Sequence, residues 1–141
     1  MRVPIVLAAC SVALAILVVP PAHANPITLD VRVDNVTPNG GAVRVAVYDE
    51  SRWLGEPVAG LQADADGESV ILRFSIPTAG RFGVAAYQDS NGDGRLNRNS
   101  VGMPTEPFAF SNDADARFGP PRFSDAALDI STAARTTITL R

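Results

Sequence analysis

From Ile27 onward the chain alternates apolar and polar positions with a period of two. Ile27, Leu29, Val31 and Val33 are separated by Thr28, Asp30 and Arg32. Successive side chains of an extended chain point to opposite faces, so this pattern predicts a strand buried on one side. The turn-forming run Thr37-Pro38-Asn39-Gly40-Gly41 follows, and Val43, Val45 and Val47 then alternate with Arg44 and Ala46 up to Tyr48. The two segments are expected to pair as an antiparallel hairpin with a long loop. A second hairpin is expected from Val70, Leu72, Phe74 and Ile76, the turn Pro77-Thr78-Ala79-Gly80, and Phe82, Val84 and Ala86 leading to Tyr87. Two further strands are predicted at Ala126–Ile130 and Ile138–Leu140.

Between these segments the pattern weakens. Asp49 to Gly67 reads as a loop or helical turn whose Trp53 folds back over the sheet edge as an anchor, a short edge strand at Pro57–Leu61, and a turn at Asp64–Glu68. Asn97 to Ser124 has no period. It contains Pro104, Pro107, Pro120 and Pro121 with Phe108, Phe110, Phe118 and Phe123. Disordered segments are poor in aromatics, so an ordered flap packed on the sheet through those rings is expected. The same rings with Arg117 could instead line a pocket for a planar or anionic ligand, but extension of the core is the favoured use of scarce large side chains. Six or seven short strands without a convincing helix predict a single all-β domain, an antiparallel β-sandwich of immunoglobulin-like or transthyretin-like type.

Residues 1–24 read differently. Arg2 precedes the apolar run Val3–Val19, and Ala22-His23-Ala24 places small residues where a signal peptidase cuts, so a cleaved secretory leader is expected with the domain at 25–141. The apolar run is too short for a comfortable membrane span and no second one follows, so no transmembrane anchor is expected in the mature form. Leu7-Ala8-Ala9-Cys10 resembles a lipoprotein box, but Val12 to Val19 after it are apolar where a polar tether belongs.

Removal of the leader takes away Cys10 and His23, the sole cysteine and histidine, and the sequence has no lysine. Thiolate and imidazole nucleophiles, the usual zinc sites, haem and iron–sulfur ligation and lysine Schiff bases are thereby excluded. Loss of Arg2 moves the formal charge from −3 to about −4. This mild acidity, with scattered arginines, argues against nucleic acid as a partner. A site on such a chain must use oxygen donors, paired carboxylates or arginine.

Those oxygens gather at one place. In Asp89-Ser90-Asn91-Gly92-Asp93-Gly94-Arg95, residues Asp89, Asn91 and Asp93 occupy the first, third and fifth positions of a calcium loop and Gly94 the sixth. The Arg95 carbonyl would supply the seventh. Ser100 stands where a bidentate Glu belongs, so calcium binding is expected to be weak, about 0.1–1 mM. Glu106, Asp113, Asp115 and Asp125, or Asp49 and Glu50, are the further donors to consider. The same residues also suit a plain polar turn. Asp64-Ala65-Asp66-Gly67 is a poorer rival because it lacks the third spaced oxygen.

Several motifs in order extend the picture to nearly all of the mature chain. These are Val43–Asp49, Ala86–Leu96, Val101-Gly102-Met103-Pro104, Phe108-Ala109-Phe110-Ser111-Asn112, and Arg117–Pro121 with Phe123–Ala127. In these the chain resembles the bacterial domain-of-unknown-function family 2141. The resemblance implies an exported small β-sandwich of the bacterial envelope, periplasmic or secreted, and carries over no catalytic residue. The favoured reading is a non-enzymatic binding or accessory module, monomeric, with an unidentified protein or small ligand as partner. The alternatives are a carboxylate hydrolase of envelope glycans, drawing on Asp49, Glu50, Asp89 or Glu106, and a structural partner pairing through a sheet edge.

Overall fold

The computed structural model describes residues 25–141, so the predicted leader lies outside the described residues. Eight strands form two sheets packed face to face. They are β1 (Ile27–Asp34), β2 (Ala42–Tyr48), β3 (Ala59–Asp64), β4 (Ser69–Ile76), β5 (Gly80–Asp89), β6 (Phe108–Phe110), β7 (Ala127–Ile130) and β8 (Ala134–Thr139). The smaller sheet has the order β4-β1-β8; the larger runs β3-β2-β5-β6, with β7 also paired to β5. The all-β sandwich expected from the alternation is therefore present.

The connections differ from expectation. β1 does not pair with β2, nor β4 with β5: β1 lies between β4 and β8, and β2 between β3 and β5. Each presumed hairpin is a crossover between sheets. Alternation fixes which side chains turn inward but is silent about the neighbouring strand. The Thr37–Gly41 run and the Pro77–Ala79 bend therefore serve as corners. β7 and β8, adjacent in sequence, also belong to opposite sheets. The sandwich is not wholly antiparallel either, because β8 runs parallel to β1, with Val31 opposite Thr136 and Val33 opposite Ile138.

The core fills the space between the sheets. Leu29, Val31 and Val33 of β1, Leu72, Phe74 and Ile76 of β4, and Ile138 meet Val43, Val45 and Val47 of β2 and Phe82, Val84 and Ala86 of β5. These are the apolar members of each alternating run, placed inside because burial of apolar surface drives packing at roughly 25 cal/mol per Å². Gln88 is the polar exception. Fully buried at the inner end of β5, it donates to the Thr37 and Gly40 carbonyls and accepts from the Thr37 amide, which fixes the β1–β2 corner. Gly40 has to be small, since a Cβ there would lie 2.7 Å from the Gln88 amide nitrogen.

The flap is more structured than its lack of period implied. It contains β6, a 3₁₀ turn at Ser111–Asp113 and the one-turn helix α1 (Phe123–Ala126). It covers part of the outer face of the larger sheet, where Trp53 contacts Tyr48, Phe110 and Phe123 at centroid distances of 5.6, 5.9 and 5.7 Å. Trp53 lies over Gly83 of the central strand β5, not over a sheet edge, and its Nε1 donates to the Pro121 carbonyl at 2.8 Å. It is an anchor, but for the flap as much as for its own loop. Ser111 ties the same cluster down: its hydroxyl accepts from the Val84 amide and donates to the Ala126 carbonyl. Phe118 departs from expectation: at the tip of the turn Ala116–Gly119 it is fully exposed. Among the described residues no helix is long and apolar enough to cross a membrane.

Candidate functional site

The loop Asp89–Gly94 hangs from the end of β5. Asp89 faces outward on that strand beside Tyr87, diagonal to Arg44 of β2, since Ala42 pairs with Asp89 and Arg44 with Tyr87. The Asp89 carboxylate is nonetheless completely covered. Its Oδ2 accepts from Arg44 Nε and from the Gly94 amide, both at 2.8 Å, and its Oδ1 accepts from the Asp93 amide at 3.1 Å. Burial acts to raise its pKa, but the Arg44 guanidinium and the Gly94 amide outweigh this and hold it below the ordinary carboxylate value. A carboxylate so placed is an organising anion for the loop.

Asn91 and Asp93 complete the turn. Asn91 Oδ1 also accepts from the Asp93 amide, and Asp93 Oδ1 accepts from the Arg95 amide at 2.9 Å. Asp93 Oδ2 receives the side-chain amides of Asn97 and Asn91, and these bonds, Asn97 first, lower its pKa. Gly92 and Gly94 have φ of +73° and +78°, conformations that favour glycine, which is why both positions lack a side chain. The sequence positions assigned to Asp89, Asn91, Asp93 and Gly94 are thus brought together in one closed turn.

Of the further donors considered, only Glu106 reaches the loop. It is buried, with Oε1 accepting from the Ser90 amide at 2.8 Å and Oε2 from the Asn97 amide at 3.0 Å, so one side chain clamps both ends of the turn. Asp113 pairs instead with Arg141, Asp115 with Arg117, and Asp49 caps the 3₁₀ turn at Glu50–Arg52. Asp125 contacts the Ser124 hydroxyl. Among the described residues no three carboxylates, histidines or cysteines converge as a metal-holding group. Asp113, Asp115, Asp125 and Asp49, considered as further donors, are therefore not gathered at the loop: the turns and flap segments that carry them hold each against a partner of its own. Two residues of the site escaped the sequence reading. Arg44 looked like an ordinary solvent-facing position of β2, and Asn97, whose Oδ1 is buried without a hydrogen-bond partner, lay in the aperiodic flap.

The flap also forms a hollow of about 210 Å³, lined by Met103, Phe108, Phe110 and Ala116 together with Asp113, Asp115, Arg117 and Arg141. Its walls are mostly apolar. The two arginines at its rim are each engaged by an aspartate, Arg117 with Asp115 at 2.6 Å and Arg141 with Asp113 at 3.2 Å. The Asp115 carboxyl is held down to about 2 by hydrogen bonds from Arg117. Phe108, Phe110 and Arg117, considered as pocket walls from sequence, do meet here; Phe123 is buried under Trp53, and Phe118 points into solvent.

No curated protein and no solved structure gives a significant match to the chain. A family of uncharacterized proteins conserved in bacteria matches residues 31–139, from the middle of β1 to the end of β8. The match takes in every strand of the sandwich, the clamped loop and the flap, and the chain belongs to that family, domain-of-unknown-function family 2141.

Proposed function

We propose that this protein is an exported, non-enzymatic binding module of the bacterial envelope, with the flap hollow as its ligand site and the Asp89–Gly94 loop as the brace that holds the flap. The observation that carries this reading is the hollow itself: apolar walls from Phe108, Phe110 and Met103, with the ion pairs Arg117–Asp115 and Arg141–Asp113 also in its lining. That combination suits a small planar or apolar ligand with one acceptor group that reaches the guanidinium nitrogens the two aspartates leave free. The acids considered for hydrolysis favour binding over catalysis. Asp89 is spent on Arg44, Glu106 on two backbone amides and Asp49 on its cap, and neither they nor Glu50 line the hollow. Export rests on the leader-like residues 1–24.

The test uses 1-anilinonaphthalene-8-sulfonate, an aromatic anion, with the protein expressed from its full-length coding sequence. Saturable fluorescence enhancement that Ala116→Trp abolishes is expected. Enhancement equal in both proteins, or none, would refute the site. N-terminal sequencing of the periplasmic fraction should find Asn25 first.

Calcium is a second reading of the loop, favoured by one observation: the buried Asn97 Oδ1 beside Asp93 lacks a donor. A cation near Asp93 and Asn91 would satisfy it, with the Arg95 carbonyl as a further ligand. Calorimetric titration with calcium, compared with Asp93→Ala, tests this, and identical flat traces would remove the ion. Pairing through the free edge of β3 is the remaining alternative, and solution mass measurement would reveal it.

A further inference from the structure

The outer face of the larger sheet carries a second concavity, separate from the flap hollow and joined to the Asp89 loop only through Arg44. Strand register creates it. Ala46 of β2 pairs with Gly60 on one side and Ala85 on the other, so one row across three adjacent strands has almost no side chains. The next row, Gln62, Arg44 and Tyr87, stands along one flank, and Tyr48 stands on the other, steadied by Trp53. The resulting trough holds about 300 Å³ and is lined by Arg44, Tyr48, Gly60, Gln62, Ala85 and Tyr87 around Ala46.

Small residues are poor choices for exposed strand positions, where β-branched and aromatic side chains are favoured. Packing explains the absence of a side chain at Gly83, where a Cβ would lie 2.4 Å from the Trp53 ring. It does not explain Gly60. A Cβ there would touch only the Val45 carbonyl oxygen, at 4.0 Å, and its backbone angle is not one reserved for glycine. Glycine within a strand that no packing requires marks a place where something else approaches the backbone closely.

The walls indicate what that is. Among the described residues neither tyrosine hydroxyl nor the Gln62 amide has a protein hydrogen-bond partner, whereas both rings are half-buried and that of Tyr48 packs edge-on against Trp53. Arg44, the sole charged group in the lining, is already neutralised at Nε by Asp89 and keeps its terminal nitrogens for other acceptors. The trough thus offers flat apolar rings, uncommitted hydroxyl and amide groups and no net charge.

An extended peptide would be a poor occupant. Peptides bind sheets at an edge, where backbone groups are free. Here the trough crosses the strands, and the backbone beneath it is spent on the β3–β2–β5 ladders. With strands about 4.8 Å apart the floor runs about 10 Å, the length of a disaccharide unit. Sugar rings have apolar C–H faces that lie on aromatic rings and hydroxyls at their rims that pair with amide, phenol and guanidinium groups.

We infer that this trough binds an uncharged linear glycan, laid across β3, β2 and β5 with its rings against Tyr48 and Tyr87. The inference is independent of the flap hollow. Its test is an array of neutral linear glycans, including β-1,4-linked glucose, mannose and N-acetylglucosamine oligomers, probed with the protein expressed from its full-length coding sequence. Retention of at least one class is expected. Gly60→Leu, which fills the floor without touching the core, and Tyr87→Ala should each weaken binding at least tenfold with an unchanged circular-dichroism spectrum. Ile71→Ser, on the outer face of the other sheet, should leave it intact. Absence of retention on every neutral glycan, or retention that survives Gly60→Leu, would overturn the assignment. So would a dimer in solution that Gly60→Leu dissociates, since a second copy would then be the occupant.

Discussion

Replacing Glu106 by Gln changes one atom and tests whether the flap is held by the loop. Both carboxylate oxygens accept backbone amides, from Ser90 at 2.8 Å and Asn97 at 3.0 Å, and the side chain is buried. Gln keeps one acceptor and turns an NH₂ toward the other amide, so one bond is lost and two donors face each other. Hydrogen bonds to a charged group contribute about 1.5–3 kcal/mol, which puts the total cost near 3 kcal/mol once the weakening of the surviving bond is included. For a domain of this size about 1 kcal/mol moves the melting temperature by roughly 3–5 °C, so a fall of about 10–15 °C is expected if the loop unfolds with the whole domain. If the loop opens on its own, the same free energy appears as exchange of the Ser90 and Asn97 amides about a hundredfold faster. Differential scanning calorimetry and amide hydrogen exchange distinguish the two. A melting temperature within about 2 °C of wild type together with unchanged protection of both amides would refute the clamp.

Three more outcomes follow from the geometry. Gly83→Ala should cost about 1–3 kcal/mol by chemical denaturation, because its Cβ would drive into the Trp53 ring, whereas Gly60→Ala should be neutral within about 0.5 kcal/mol. Phe118→Ser should also leave stability within about 0.5 kcal/mol, since its ring is fully exposed. The Asp30, Asp49, Asp89, Asp93 and Asp115 carboxyls are all held below the ordinary value of 3.8, so their contribution is complete above about pH 4 and is lost as pH falls toward 2. The sole histidine is His23, in the predicted leader, so melting temperature should be flat from pH 8 to 5 and drop below 4. A decline between pH 8 and 5 would contradict this.

Strands were legible in the sequence because one-sided burial imposes a period of two, and the inward residues Leu29 to Val33, Val43 to Val47 and Phe82 to Ala86 are those the alternation names. Partners were not legible. A strand carries no mark of which neighbour it joins, and short connections suggested hairpins where the chain in fact crosses between sheets. The turn chemistry of Asp89–Gly94 was local and so visible, while the Arg44–Asp89 pair and the Glu106 clamp depend on register across 45 and 16 residues. Neither Gly60 nor Ala46 stood out, because a surface trough exists only when three strands align.

That register also changes how the loop's charge is read. A loop rich in oxygen invites a cation from outside, yet Asp89 Oδ2 already faces a guanidinium at 2.8 Å, supplied by the neighbouring strand. A calcium ion that also took Asp89 as a ligand would compete with Arg44 for that oxygen and, if it won, would free Arg44 to move within the trough. The competition has a definite sign. Arg44→Met removes the internal cation while keeping an unbranched side chain on β2, so Asp89 gains a free lone pair and the loop gains negative charge. If the ion site includes Asp89, calorimetry should find calcium bound at least tenfold more tightly by Arg44→Met than by wild type, and less tightly again when Asp93→Ala is added. Equal affinity in wild type and Arg44→Met would mean that Asp89 never meets the ion. The loop would then serve to aim an arginine at the trough, through a buried carboxylate that holds the guanidinium in one orientation.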